Sequence, residues 1–362
     1  MVSSGPPESP HVPSVNYHVW QACNMRCRFC FATFQGVRKN VLPAGHLDRP
    51  DAMRIVRALA RAGFTKINFA GGEPFLCPWL VDLVVYAKKL GMVTSVVTNG
   101  SYFDRSVASD LLKHLDWLVL SVDSLHPATA IRIGRVKAHK PISKRQYLAI
   151  CERVHAAGVN LKINTVVTSA NYGEDFRDFI IRARPRRWKI MQMLPLQGPD
   201  SRCAEDLIVD RDGFNHFVAK NRRVRKNGIV VVPETSSDMV GSYAMIDPAG
   251  RFYDNVSGQY KYSQPILDVG VRAAFSEVDV SAARFLARDG LYDFWGGWKW
   301  RRVGSWAQLR GYLRNRWRPS AVSSATPLTT AATAEPVWLQ ARISRRTDVL
   351  ESGQATAVIS ST

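Results

Sequence analysis

Cys23-Asn24-Met25-Arg26-Cys27-Arg28-Phe29-Cys30 decides how this 362-residue chain reads. Three thiolates spaced by three and then two residues hold three irons of a four-iron, four-sulfur (4Fe-4S) cube and leave the fourth iron open to a chelating ligand. Phe29 and Phe31, flanking the last cysteine, wall such a cluster from water, which is one lever on its potential. Structural zinc competes as a reading, but it takes four protein ligands in two paired hooks, and no second Cys or His hook follows at a suitable distance. His18, five residues upstream on an expected strand, suits a packed strand position better than a fourth ligand.

Outward from the loop the chain alternates regularly. A strand at 15–20 delivers the cysteines, and 51–62 carries Ala52, Ile55, Val56 and Leu59 at helical spacing before Gly63 stops it. Strand 66–69, a helix lined by Leu80, Leu83, Val84 and Ala87, and strand 93–97 follow. The rhythm continues with helix 104–114, strand 117–122, a helix on Tyr147, Ile150, Cys151 and Val154, strand 159–167, helix 172–183 and strand 187–194. Six β/α units with short connections imply parallel strands and right-handed crossovers. Six units are too few to close an eight-stranded barrel, so the expected fold is α/β, a partial (β/α)6 TIM-like barrel with chemistry at the carboxyl ends of its strands. The expected divisions are a disordered start at 1–14, the barrel at 15–210, a C-terminal cap at 211–300 and a basic, partly disordered tail at 301–362. The cap is read from helix 211–226, strand 229–232 and a Tyr- and Trp-rich segment. In the tail, Trp306, Leu309, Leu313 and Trp317 form an apolar stripe beside Arg310, Arg314 and Arg318, and 319–336 is rich in Ser, Thr, Ala and Pro.

Six cysteines without a secretory leader argue against a disulfide framework, and no apolar run reaches the roughly 18 residues of a membrane span. A reducing cytoplasm is the expected compartment and a monomer the expected state. The net charge is +19; nine arginines and three acids lie from residue 301 onward, so +13 remains on residues 1–300 and points to a polyanionic ligand.

Several strand ends carry polar groups suited to that rim. Gly71-Gly72-Glu73 follows the second strand, where glycines permit close backbone approach and a carboxylate accepts from an ammonium group. Thr98 and Asn99 follow the third strand, and Ser121 and Ser124 the fourth. Each is otherwise a turn or helix cap. Strand parity supplies the clue to the second ligand. If Ile67 and Phe69 face the helices, Lys66 and Asn68 face the axis; likewise Lys162 and Asn164, then Arg187 and Lys189, turn inward. Barrel interiors are normally apolar, and each unpaired buried cation costs about several kcal/mol. A polyanion resolves the conflict, because at an effective dielectric near 20 each cation within about 4 Å of a phosphate charge gains roughly 4 kcal/mol. Arg135, in Ile133-Gly134-Arg135, is expected to join these cations from the rim.

The combination resembles the viperin family of radical S-adenosylmethionine (SAM) enzymes, in particular its prokaryotic members. The likeness runs in order through Asn16-Tyr17-His18, the cysteine loop, Lys66-Ile67-Asn68-Phe69, Gly71-Gly72-Glu73-Pro74-Phe75, Asn99-Gly100-Ser101, Asp123-Ser124, Ile133-Gly134-Arg135, Lys162-Ile163-Asn164 and Arg187-Trp188-Lys189. It continues through Pro233-Glu234, Gly241-Ser242-Tyr243, 266–271, Phe285-Leu286 and Tyr292. The resemblance implies a 4Fe-4S cluster on Cys23, Cys27 and Cys30, and SAM held by Gly71, Gly72, Glu73, Thr98, Asn99, Ser121 and Ser124. It implies a nucleoside triphosphate held by Asn16, Lys66, Arg135, Lys162, Asn164, Arg187, Lys189 and Tyr243. The implied reaction converts CTP, UTP or GTP to a 3′-deoxy-3′,4′-didehydro nucleotide, a chain terminator in antiviral defence against phage. An electron donor such as flavodoxin or ferredoxin and a nucleotide kinase are the implied partners. Trp20, Gln21 and Ala22 depart from the Thr-Arg-Gln of vertebrate members, and their N-terminal amphipathic helix has no counterpart. Two other functions compete: a radical SAM enzyme acting on a peptide or another metabolite, and an iron-sulfur sensor that binds nucleic acid. Against the first, Cys203 is the only cysteine beyond residue 151.

Overall fold

Eight parallel strands and two antiparallel ones form one sheet in the computed structural model, which describes residues 12–103, 106–198 and 200–292. The strands are β1 (Ser14–Trp20), β2 (Lys66–Gly71), β3 (Val93–Thr98), β4 (Trp117–Ser121), β5 (Asn160–Val167), β6 (Arg187–Gln192), β7 (Val230–Glu234), β8 (Ala244–Ile246), β9 (Arg251–Asp254) and β10 (Lys261–Pro265). Their order is β10-β9-β8-β1-β2-β3-β4-β5-β6-β7. The helices that matter here are α1 (Arg49–Arg61), α2 (Leu80–Lys89), α3 (Ser106–Leu112), α4 (Pro127–Arg132), α5 (Lys144–Ala156), α6 (Arg177–Ala183), α7 (Arg211–Asn221) and α8 (Ala282–Ala287).

The β/α rhythm appears where the apolar periodicity puts it. Asp48 caps α1 by accepting from the Asp51 N–H at 2.9 Å, and its buried stripe is Ala52, Ile55, Val56 and Leu59. Ser143 and Gln146 form a capping box at the start of α5. Outward-facing strand residues such as Val15, Tyr17, Ile67, Phe69, Leu161 and Ile163 are fully buried against the helices. Inward residues of β1 to β6 and β8 line one cavity, so the sheet wraps around it.

Order begins before residue 15: Val12 is buried, and Pro13 O accepts from Thr65 and Lys66 N–H at 2.9 and 3.1 Å. The described residues of the expected cap, 211–292, add strands to both edges of the sheet. β7 extends the parallel sheet beside β6, while β8 pairs parallel with β1 and carries the antiparallel β9 and β10. These later strands are short, and β8, which carries β9 and β10, finds its ladder partner more than 200 residues away in β1, so local periodicity carries little of them. Residues 285–292 reach into the cavity, completing its wall. The first part of the expected disordered start, 1–11, the end of the expected cap, 293–300, and the whole tail with its Trp306 stripe lie outside the described residues. No described helix is long and apolar enough to cross a membrane.

Candidate functional site

The cysteine loop leaves the carboxyl end of β1 and is fastened by three other segments. Gly72 N–H donates to Trp20 O at 2.6 Å and Glu73 N–H to Ala22 O at 3.0 Å. A Cβ on Gly72 would lie 2.2 Å from Ala22 O, which is why glycine follows β2 there. On the other flank Arg28 N–H donates to Ile133 O at 3.0 Å. Gly134, at φ +74, packs so that a Cβ would stand 2.3 Å from Arg26 O. From a third side Arg202 N–H donates to Cys30 O at 2.6 Å and Ala204 N–H to Arg28 O at 3.0 Å.

Glu73 is wholly buried, and its carboxylate is held by three neighbouring donors. It accepts from Phe75 N–H at 3.1 Å, Thr98 hydroxyl at 2.7 Å and Asn99 N–H at 2.8 Å. Glu73 and Thr98 thereby lock the ends of β2 and β3 together. Asn99 is the member of that lock that reaches the cysteines, with Nδ2 at 2.9 Å from Asn24 Oδ1 and 4.0 Å from Cys23 Sγ. The Ser124 hydroxyl donates to Glu174 Oε1 at 2.6 Å in a buried pair. Ser121 stands at the end of β4, and its carbonyl accepts from Arg135.

Arg135 lies with the cysteines and not with the cation cluster. Its guanidinium pairs with Asp123 at 3.0 Å, donates to Ser121 O at 2.9 Å and approaches Cys27 Sγ at 3.5 Å. The left-handed turn at Gly134 sends the chain back under the cysteine loop, a direction that sequence spacing does not encode.

The sulfurs of Cys23, Cys27 and Cys30 fit a 4Fe-4S cluster. All are free thiols in one small apolar cluster with Met25, Phe29 and Ile133. Donors aim at two of them: Met25 N–H at 3.4 Å and Asn99 at Cys23, Arg135 at Cys27. Hydrogen bonds of this kind tune cluster potentials. Burial pushes the Cys30 thiol up to about 12 and raises Cys23, and a bound cluster would supply the positive charge that thiolate ligands need there. Among the described residues no three His, Cys, Asp or Glu side chains close on a single ion. A cube sets its three ligated irons apart, so its sulfurs need not converge as they would on zinc. His18 is buried between Phe34, at 5.0 Å, Phe31 and Tyr253, and burial lowers it to about 4: a packed strand histidine, as expected.

One cavity joins this end of the barrel to the other. Phe29, Phe31 and Ala70 line it near the cysteines; Lys66, Lys162, Arg187 and Lys189 line it near the amino ends of the strands. Strand parity thus placed all four cations correctly. The structure adds Arg288, which the sequence reading missed because it caps the short α8 and has no strand parity to reveal it. Lys189 pairs with Glu234 at 2.5 Å and donates to Tyr243 Oη at 2.6 Å, and the tyrosine donates on to Glu234. Arg288 stacks 3.5 Å from the centre of the Tyr243 ring and lies 3.5 Å from Glu234. Lys66 donates to the Tyr292 hydroxyl, and Arg187 to Asp289 O at 2.8 Å. Asn16 accepts from Asn68 at 2.9 Å, while Asn164 Oδ1 is buried without a partner. Among the described residues Lys162 makes no hydrogen bond or ion pair.

Among the described residues five cations line this end of the cavity with two carboxylates, Glu234 and Asp289, of which Glu234 forms ion pairs with Lys189 at 2.5 Å and Arg288 at 3.5 Å. Burial, and then the neighbouring cations, pull Lys66 and Lys162 well below the ordinary lysine range. Burial lowers Lys189 to about 8 despite Glu234. Burial pushes the Glu234 carboxyl up, but Lys189 and Arg288 outweigh it and bring it to about 2. Among the described residues the cations lining this cavity outnumber its carboxylates.

Comparison with known proteins agrees with this geometry. The Radical SAM superfamily profile matches residues 17–182. The S-adenosylmethionine-dependent nucleotide dehydratase of Flammeovirga pacifica is 43% identical over 283 residues, covering 78% of this chain and 96% of the relative. That of Lacinutrix mariniflava is 44% identical over 284 residues, 78% of this chain, which spans 59% of that relative's length. The Danio rerio protein of the same name, RSAD2, is 34% identical over 289 residues, 77% of each chain. Among solved structures, native anSMEcpe with bound AdoMet superposes with a TM-score of 0.55 at 15% identity over 80% of this chain and 87% of that one, a likeness of fold. Radical SAM proteins use a 4Fe-4S cluster and SAM, the groups that the cysteine loop and its flanks fit. The chain belongs to the radical SAM superfamily and, within it, to the family of S-adenosylmethionine-dependent nucleotide dehydratases.

Proposed function

We propose that the chain dehydrates a ribonucleoside triphosphate (CTP, UTP or GTP) to its 3′-deoxy-3′,4′-didehydro analogue, a chain terminator suited to defence against phage. When bound, the cluster and SAM supply a 5′-deoxyadenosyl radical able to take the ribose 4′ hydrogen. The chain's own residues bind, orient and exclude water. Cys23, Cys27 and Cys30 hold the cluster. The backbone of Gly71, Gly72 and Glu73, with Asn99 and Ser121, borders the SAM position, and Arg135 beside Cys27 offers a guanidinium to the SAM carboxylate. Lys66, Lys162, Arg187, Lys189 and Arg288 grip the triphosphate at the inner end of the cavity, with Asn16, Asn164 and Tyr243 along its length.

The observation that carries the reading is Lys162: a cavity-lining lysine that makes no hydrogen bond or ion pair among the described residues, with Glu234 acting on it only at a distance, in the same cavity that Phe29 and Phe31 border beside the cysteines. A peptide or neutral metabolite leaves that charge uncompensated. The protein is read as a cytoplasmic monomer that takes its electron from a carrier such as flavodoxin or ferredoxin and its substrate from a nucleotide kinase. Residues 15–210 serve as the barrel, and 211–292 complete the nucleotide-binding wall. The test is 5′-deoxyadenosine formation by the loaded enzyme with each ribonucleoside triphosphate in turn. Stimulation by at least one, with loss of water from it by mass spectrometry, is expected; SAM cleavage indifferent to all four contradicts the reading.

A further inference from the structure

The basic excess is concentrated in two acid-free stretches. Residues 9–47 contain four Lys and Arg and no Asp or Glu; residues 124–151 contain six and none. The fold brings these stretches together outside the cysteine loop. Arg28 N–H donates to Ile133 O, and Gly134 packs so tightly on the loop that a Cβ there would lie 3.2 Å from the Cys27 Cα. α4 also packs against the small ribbon strand Lys140–Pro141. Arg26, Arg132 and Lys140 are exposed on this face, and among the described residues none has an ion-pair partner. Two acids border it, Glu205 and Asp206, and Asp206 is taken by Arg28 at 2.6 Å. Ile131, on α4 next to Arg132, is 56% exposed.

We propose that this face docks an acidic protein that carries single electrons. The proposal rests on the dehydratase reading, since that chemistry draws one electron per SAM cleaved from outside the chain. A reduced carrier seated here gives one electron across the Arg26–Cys27 backbone to the oxidised cluster. The carrier is oxidised by one electron, the cluster is reduced by one, and no bond forms or breaks. Gly134 lies directly behind Cys27, so one layer of main chain separates the face from a cluster sulfur. A charged rim around an exposed apolar residue is the make-up of a small, transient interface with fast, salt-sensitive association. The backbone of a nucleic acid would satisfy the arginines but leave Ile131 uncovered.

The test pairs the parent chain with an Arg132→Glu, Lys140→Glu double variant, two exposed positions away from the cavity. The probes are an acidic bacterial flavodoxin, the basic cytochrome c and a short duplex DNA. Flavodoxin is expected to bind the metal-free parent at low salt, and the variant about tenfold more weakly. With the cluster loaded, reduction by flavodoxin hydroquinone slows by about the same factor in the variant, while dithionite-driven 5′-deoxyadenosine formation is unchanged. Equal flavodoxin affinity and equal reduction rate in parent and variant overturn the proposal. So does duplex DNA binding more tightly than flavodoxin and losing its affinity in the variant. A parent chain without nucleotide-stimulated turnover in dithionite sinks the dehydratase reading instead, and the binding measurement still decides the face.

Discussion

The two ends of the cavity are built on opposite principles. At the carboxyl end the polar groups are satisfied: Glu73 takes three donors, Ser124 is paired with Glu174, and main-chain hydrogen bonds fasten the cysteine loop on three sides. At the inner end, among the described residues, five cations line the cavity with two carboxylates, and Lys162 has neither ion pair nor hydrogen bond. Satisfied groups fix a shape, whereas unsatisfied charge stores a demand for a ligand. Substitutions at the first end are therefore expected to cost stability, and removal of an unpaired cation at the second to cost binding and return stability.

Gly72→Ala breaks the first end most severely. Its Cβ meets main-chain oxygen at 2.2 Å, which cannot rotate away. A loss of about 3 kcal/mol or more is expected, read as a lowered denaturant midpoint and failure to retain iron. Glu234→Ala comes next and tests the inner end by deepening its imbalance. Removing one partner of a buried pair costs about 3–5 kcal/mol, and a ribonucleoside triphosphate is expected to restore most of it in a thermal-shift measurement.

pH sharpens the same comparison. Lys189, lowered to about 8 by burial against Glu234's pull, titrates below its unfolded range. Between about 8 and the ordinary lysine value the unfolded chain holds more protons, so the ligand-free protein gains stability as pH rises through that window. Triphosphate affinity moves the opposite way, because the neutral lysine no longer attracts phosphate. Calorimetry in buffers of different ionisation enthalpy is expected to show protons taken up on binding above about pH 8. Ser124→Ala marks the small end of the scale: about 1 kcal/mol of stability from the lost bond to Glu174, with an unchanged KM for SAM.

The parts legible in the sequence were those with a local period. Alternation along β2, β5 and β6 pointed Lys66, Lys162, Arg187 and Lys189 inward, since a strand has only two faces. Apolar spacing found α1, α2 and α5 to within a few residues. What escaped depended on tertiary direction. Arg135 follows the left-handed turn at Gly134, Glu73 is held by Thr98 and Asn99, and Arg288 arrives on a segment after the sheet is complete. β8 to β10 are three to five residues long and gain their place from the edge of β1.

The central claim is that the unpaired charge at the inner end is a triphosphate site. Its most direct test is calorimetric binding of a ribonucleoside triphosphate and of the matching nucleoside to the ligand-free chain and to Lys162→Met, with thermal melting of both proteins alongside. The account predicts that the parent prefers the triphosphate by about a hundredfold or more, and that the variant loses about 2–4 kcal/mol of that preference while melting higher. A variant that binds the triphosphate as the parent does, or that melts lower without it, would contradict the claim.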